Sequence, residues 1–158
     1  MQKLKNDRGE ISIYTVVLIL IINLVIALIV YYYSVYMDAE GIRNGMTMQL
    51  NNLSAQIAED TYAAARESDL EAYLQKLCSS ANYQRKLTYT YREGLAKKVP
   101  LETSRYALKN MRLSFREEEG QITYTISCDA QFFIRALGKD YPTVLQTITL
   151  SGSHQTKY

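Results

Sequence analysis

Any chemistry in this chain has to come from very few side chains. His154 is the only histidine, and it stands in the polar tail GSHQTKY with no carboxylate or cysteine arranged around it. Glu117, Glu118 and Glu119 run up to Gly120 and could approach a cation, but three glutamates beside a hairpin glycine read first as a solvated turn. No nucleophile with a neighbouring base, no H-E-x-x-H, no phosphate-cradling glycine loop and no paired metal-ligand spacing occurs. The expectation is therefore no enzyme, no cofactor and no metal. Cys78 and Cys128 are the only cysteines. A disulfide between them would tie a helix end to a strand and, by closing a loop of about 50 residues, contribute roughly 3 to 4 kcal/mol. Two buried free thiols, each a small hydrophobe, are the alternative.

The elements that position these residues begin with a membrane segment. Residues 11–30, ISIYTVVLILIINLVIALIV, contain no charge, and at about 1.5 Å per residue a helix of them matches a hydrocarbon core of roughly 30 Å. A cleaved secretory signal has an apolar region of about 7 to 15 residues followed by small residues. Here the run is longer and ends in Tyr31, Tyr32 and Tyr33. Lys3, Lys5 and Arg8 precede it, so the positive-inside bias predicts a cytoplasmic N-terminus and an extracellular C-terminus in a single-pass protein of the cell membrane. The tyrosines, with Tyr36, then form an aromatic belt at the outer interface. Asn23 is the strongly polar side chain in mid-span; its amide bonds either its own helix backbone or a neighbouring helix.

Past the tyrosines, Ile42, Met46, Leu50, Leu53 and Ile57 recur at helical spacing, predicting an amphipathic helix that continues outward. Gly41 and Gly45 predict a hinge in it. SDLEAYLQKLCSS places Ser68 and Glu71 at capping-box spacing and predicts a short helix over 69–79. After Ala81 the period changes to two. Leu87, Tyr89 and Tyr91, then Met111, Leu113 and Phe115, then Ile122, Tyr124, Ile126 and Cys128 all read as half-buried strands. REEEGQ joins the second and third as a hairpin, with Gly120 at positive φ. Phe132, Phe133, Ile134 and Leu137 fall in an irregular connection, as core filling or a subunit contact. Gly138 and Pro142 break the chain, 144–151 is a last strand, and the tail is loose.

The organisation expected is a cytoplasmic leader over 1–9, a transmembrane helix over 10–36, an amphipathic helical stalk over 37–80 and a β-rich extracytoplasmic head over 81–158. The fold class is α+β, with the helix stripe covering one face of an antiparallel sheet. With 18 basic and 16 acidic residues in 158, a net charge of +2, no basic stripe follows a phosphate backbone. Membrane lipid is a predicted partner and nucleic acid is not.

A short basic leader ending in Arg8 and Gly9, then Glu10, an uninterrupted apolar helix, an amphipathic helix and a β-rich end resemble the tight-adherence (Tad, Flp) pilins, nearest to the TadE-like minor pilins or pseudopilins of Gram-positive loci. The resemblance implies a pilin-like fold and a structural role in pilus assembly, adhesion or a related secretion apparatus. It implies as partners other pilin-like subunits, the assembly machinery and a prepilin peptidase cutting between Gly9 and Glu10. The chain departs from the pattern at Tyr14, the fifth place after that cut, where these pilins usually carry a glutamate that neutralises a neighbouring amino terminus. That favours a membrane-held accessory subunit over a major pilin. The rival expectation is a single-pass, membrane-tethered extracellular binding or sensor module acting through a partner; a tethered hydrolase has no visible site.

Overall fold

The computed structural model describes residues 4–136 and 139–155, and the side chains from Ile13 onward apart from those of residues 135, 136 and 140. Three helices, α1 (Leu4–Arg66), α2 (Leu70–Ser79) and α3 (Ala81–Ala96), precede three strands, β1 (Tyr106–Glu118), β2 (Gln121–Ala136) and β3 (Lys139–Gln155). The chain divides into two compact units, residues 1–38 and 39–158. In the first, the described residues are all helical.

In the second unit the expected stripe of α1 is the core. Ile42, Met46, Leu50, Leu53 and Ile57 are all buried, and Thr61 continues the row with its hydroxyl bonded to the Ile57 carbonyl at 2.6 Å. The hinge expected at Gly41 and Gly45 is not found as a break: α1 is assigned as helix through both. Gly45 has another reason to lack a side chain, because a Cβ there would collide with Val99, whereas one at Gly41 would meet nothing. The helix ends in a Schellman motif. Ser68, at φ 60, donates to the Ala65 carbonyl at 3.3 Å and Asp69 to that of Ala64 at 2.9 Å. That conformation removes Ser68 from the expected capping box. Asp69 is the N-cap of α2, without a side-chain capping bond.

Ser80 makes the next junction. Its extended backbone closes α2, its hydroxyl accepts from the Tyr83 N–H at 3.4 Å to cap α3, and Gln84 Nε2 reaches back to the Leu77 and Cys78 carbonyls at 3.0 and 2.9 Å. The strand expected at residues 87–92 is therefore helix. Leu87 and Tyr91 fit periods of two and four equally well, but Leu95 completes the four-residue row, and all three are buried while Tyr89 is 62% exposed.

The sheet is an antiparallel meander in the order β1-β2-β3. Ile122, Tyr124, Ile126, Cys128, Ala130 and Phe132 alternate along its central strand and are all buried. Glu119 at φ 53 and Gly120 at φ 79 form the tight hairpin loop expected in REEEGQ. The connection expected to be irregular is strand instead: Phe132, Phe133 and Ile134 belong to β2, and Phe132 is fully buried with its ring centroid 6.2 Å from that of Tyr106. Leu137 and Gly138 lie outside the described residues. Pro142 does not stop the chain. It sits at a register shift, with Phe133 opposite Pro142 and Phe132 opposite Val144, a place where an edge strand tolerates the missing N–H. The tail expected to be loose is paired as far as Gln155, and Gly152 stands where a Cβ would run into the Tyr124 ring.

Two hydroxyls join these layers. Tyr91, fully buried, donates to the Met46 carbonyl at 2.8 Å, and Tyr124 donates to Ser54 Oγ at 2.6 Å, so α1 is bonded to both α3 and β2. The architecture is α+β.

Candidate membrane segment and association site

The feature with the largest energetic consequence is the bare apolar surface of residues 13–30. Every residue in it is exposed, including Ile13, Val16, Leu20, Leu24, Leu28 and Val30 at 65, 54, 64, 64, 58 and 63%. With Leu18, Ile19 and Ile22, exposed at 57, 52 and 49%, the apolar positions fall on all sides of the helix, so no single partner face could cover them. At about 1.5 to 3 kcal/mol for fully burying one large aliphatic side chain, their hydration costs on the order of 10 to 20 kcal/mol. That is as much as the whole stability of a typical domain, about 5 to 15 kcal/mol. Water is therefore the wrong solvent for this stretch. By length and composition the helix can cross a membrane once, and it is the one such helix among the described residues.

Asn23 satisfies part of its amide locally, Nδ2 donating to the Ile19 carbonyl at 2.8 Å. Of the two readings of this side chain, the bond to its own helix is thus present. Tyr32, Tyr33 and Tyr36 are 68, 64 and 54% exposed, and the first two rings meet edge to face with centroids 6.4 Å apart. Gly9 and Glu10 fall within the bounds of α1, but the surroundings of the cut expected there, including the Glu10, Lys5 and Arg8 side chains, lie outside the described residues.

The residues considered for other chemistry are dispersed. His154 is half-buried in β3, opposite Ile122. Glu117, Glu118 and Glu119 are exposed at the β1–β2 turn, where Arg116 and Glu118 pair at 3.4 Å on the surface. A recess at that turn is lined by Glu118, Glu119, Gly120, Gln121 and Gln155. Among the described residues no three His, Cys, Asp or Glu side chains come together as a metal site.

The expected bridge between Cys78 and Cys128 is replaced by two free thiols. Cys128 lies on the inner face of β2 with Sγ 3.6 Å from the Lys109 carbonyl, and burial, with Asp129 adding to it, pushes its thiol up to about 11. Cys78 is raised by burial and then by Glu117, a residue opposite Ile122.

Sequence reasoning passed over two polar contributors. Ser54 receives the Tyr124 hydroxyl, and Asp129, on the outer face, accepts from Asn110 Nδ2 at 2.9 Å and Thr147 Oγ1 at 2.8 Å, which holds its carboxyl below the usual carboxylate range. Neither had a signal in spacing, since each depends on a strand register. Comparison with family models gives no match, and comparisons with curated proteins and with solved structures give none.

Proposed function

We propose that this chain is a structural, non-enzymatic, pilin-like subunit of the TadE-like kind, held in the cell membrane by residues 11–30 and taking part in a tight-adherence pilus or a related secretion apparatus. The observation that carries the reading is the all-round apolar surface of residues 13–30, in the same helix whose later turns form the core of a folded unit. Lipid solvates that surface, and copies of the helix then associate by close packing. The second Asn23 N–H and its carbonyl oxygen supply an interhelical hydrogen bond worth about 1 kcal/mol. Lys3, Lys5 and Arg8 keep the N-terminus in the cytoplasm, which places the α+β unit outside and the tyrosines at the outer interface.

The leader ending at Gly9 supports processing by a prepilin peptidase, and Tyr14 in place of glutamate favours an accessory subunit retained in the membrane. Co-expression with such a peptidase should shorten the chain by the nine residues that precede Glu10, and Gly9→Ala should resist the cut, both read by intact-mass spectrometry. An unchanged mass in both would remove the pilin assignment and leave the tethered binding module.

A further inference from the structure

The sheet is three strands wide except at one end. β1 begins at Tyr106, register partner of Phe132, so from Phe133 to Ala136 and from Lys139 to Pro142 the β2–β3 hairpin continues as two strands. At about 3.4 Å per residue it extends roughly 13 Å past the start of β1. Tyr141, Val144 and Leu145 are 47, 39 and 69% exposed, and they are the large apolar side chains exposed on the sheet among the described residues. Val144 is register partner to the buried Phe132 on the inner face and Leu145 to Gln131 on the outer one, so the patch occupies both faces and one added layer could not cover it. Met48, Tyr62 and Tyr89, the other large apolar side chains exposed in this unit, stand apart from one another on α1 and α3, and apolar residues scattered singly need no partner.

The hairpin lies at the end of the second unit where that unit begins. The placement follows contact by contact: Gly45 lies against Val99, the Leu101 carbonyl accepts from the Leu108 N–H at 2.7 Å, and the Arg105 carbonyl accepts from the Phe133 N–H at 2.8 Å. Farther along α1, Ser54 meets Tyr124, so β2 runs against the helix and its later residues stand beside earlier turns. The unit starts at Ala39, nine residues after Val30, the last residue of the uncharged run. Even fully extended, nine residues span at most about 30 Å. Where lipid solvates residues 13–30, it is therefore held within reach of this end of the unit whatever course the chain takes from 30 to 39.

We infer that the β2–β3 hairpin docks on the surface of the same bilayer, with Tyr141, Val144 and Leu145 entering the headgroup region. The inference rests on the membrane reading and adds a second lipid contact to it. The occupant follows from the tether: a second protein must first find the patch, whereas the bilayer accompanies every copy within that distance, at high effective concentration. The side chains suit an interface. A tyrosine ring lies against acyl chains while its hydroxyl stays in water, and the two aliphatic side chains leave water. Lys139, exposed at the start of β3, brings a positive charge to the lipid phosphates. The opposite end of the sheet is built for water, since Glu117, Glu118 and Glu119 are exposed at the β1–β2 turn and would meet those phosphates with like charge.

The test uses the full-length chain reconstituted, at high lipid-to-protein ratio, in vesicles of phosphatidylcholine and phosphatidylglycerol that include a lipid with a photoreactive diazirine near the headgroup end of its acyl chain. Labelled peptides are mapped by mass spectrometry. The expected result is labelling of residues 139–145 as well as 13–30, with little at the control turn, residues 116–121. Tyr141→Asp with Leu145→Asp should lower the yield at 139–145, relative to that at 13–30, by roughly tenfold or more. Ser114→Asp, on the exposed side of β1, should leave the ratio unchanged. The contrast between 139–145 and 116–121 in the unaltered chain keeps the test decisive if the double variant misfolds. Labelling of 13–30 without 139–145, as when another copy or an unrelated protein covers the patch, overturns the inference and leaves the membrane reading standing. So does equal labelling of 116–121, or a yield at 139–145 that survives both aspartates. Absence of label from 13–30 would instead remove the membrane reading, and this inference with it.

Discussion

Residues 13–30 and residues 42–57 belong to one helix and carry opposite surfaces. In the first stretch the apolar side chains point in every direction and all are exposed; in the second Ile42, Met46, Leu50, Leu53 and Ile57 return every third or fourth residue and are buried, with Met48 exposed off the row. The backbone is the same, so the difference lies in what each stretch needs around it. A stripe asks for one neighbouring layer, which α3 and the sheet supply through Tyr91 and Tyr124. A surface apolar all round cannot be met by a single layer, and only a solvent that is itself apolar covers it. The lesson is that burial and exposure distinguish turns suited to a neighbouring protein layer from turns suited to an apolar solvent.

The sharpest way to break the contrast is to place charge in the first stretch. Leu20→Lys with Leu24→Lys should cost about 2.5 to 3.5 kcal/mol per lysine for insertion and move the chain from the membrane fraction to the soluble or aggregated one, as read by fractionation. The same truncation in both stretches should then give unequal results. Leu53→Ala empties a buried site and should lower the stability of the second unit by about 2 to 5 kcal/mol in chemical unfolding. Leu24→Ala should leave that transition where it is. Glycine substitution separates the junction from the core: Gly45→Ala, pressed against Val99, should destabilise by about 1 to 3 kcal/mol, while Gly41→Ala, in open space, should stabilise by up to about 1 kcal/mol.

A further difference is one of pH, and it belongs to the second unit, which holds both cysteines. The Cys128 thiol is raised from the ordinary 9.0 to about 11 by burial. As pH rises the unfolded thiol therefore loses its proton first. The stability this group contributes is whole below about pH 9 and falls away as pH passes toward 11. Urea unfolding at pH 8 and pH 10.5 should show the loss, and Cys128→Ala should reduce it by roughly 1 to 3 kcal/mol.

The apolar span, the stripe of α1, the short helix near 69–79 and the REEEGQ hairpin were legible because each depends on local spacing. Other local patterns misled. LTYTY fits a strand or a helix, and the Ser80 cap with Leu95 decided for α3. Pro142 looked like a stop, yet an edge strand accepts it at a bulge. Two cysteines in one unit suggested a bridge, but both are free thiols.

What the amino-acid sequence determined by itself is the solvent of each stretch, because hydrophobic periodicity is a property of side-chain order along a helix or strand. It also determined the tight turn at Gly120, because a steric limit on φ acts within a single residue. The tertiary structure alone decided which hydroxyls cross between layers, which thiol is buried, and which strand lies between the other two. Those outcomes depend on contacts between residues distant in the chain, such as Tyr124 with Ser54 and Tyr91 with Met46, and no local pattern encodes the register that brings them together.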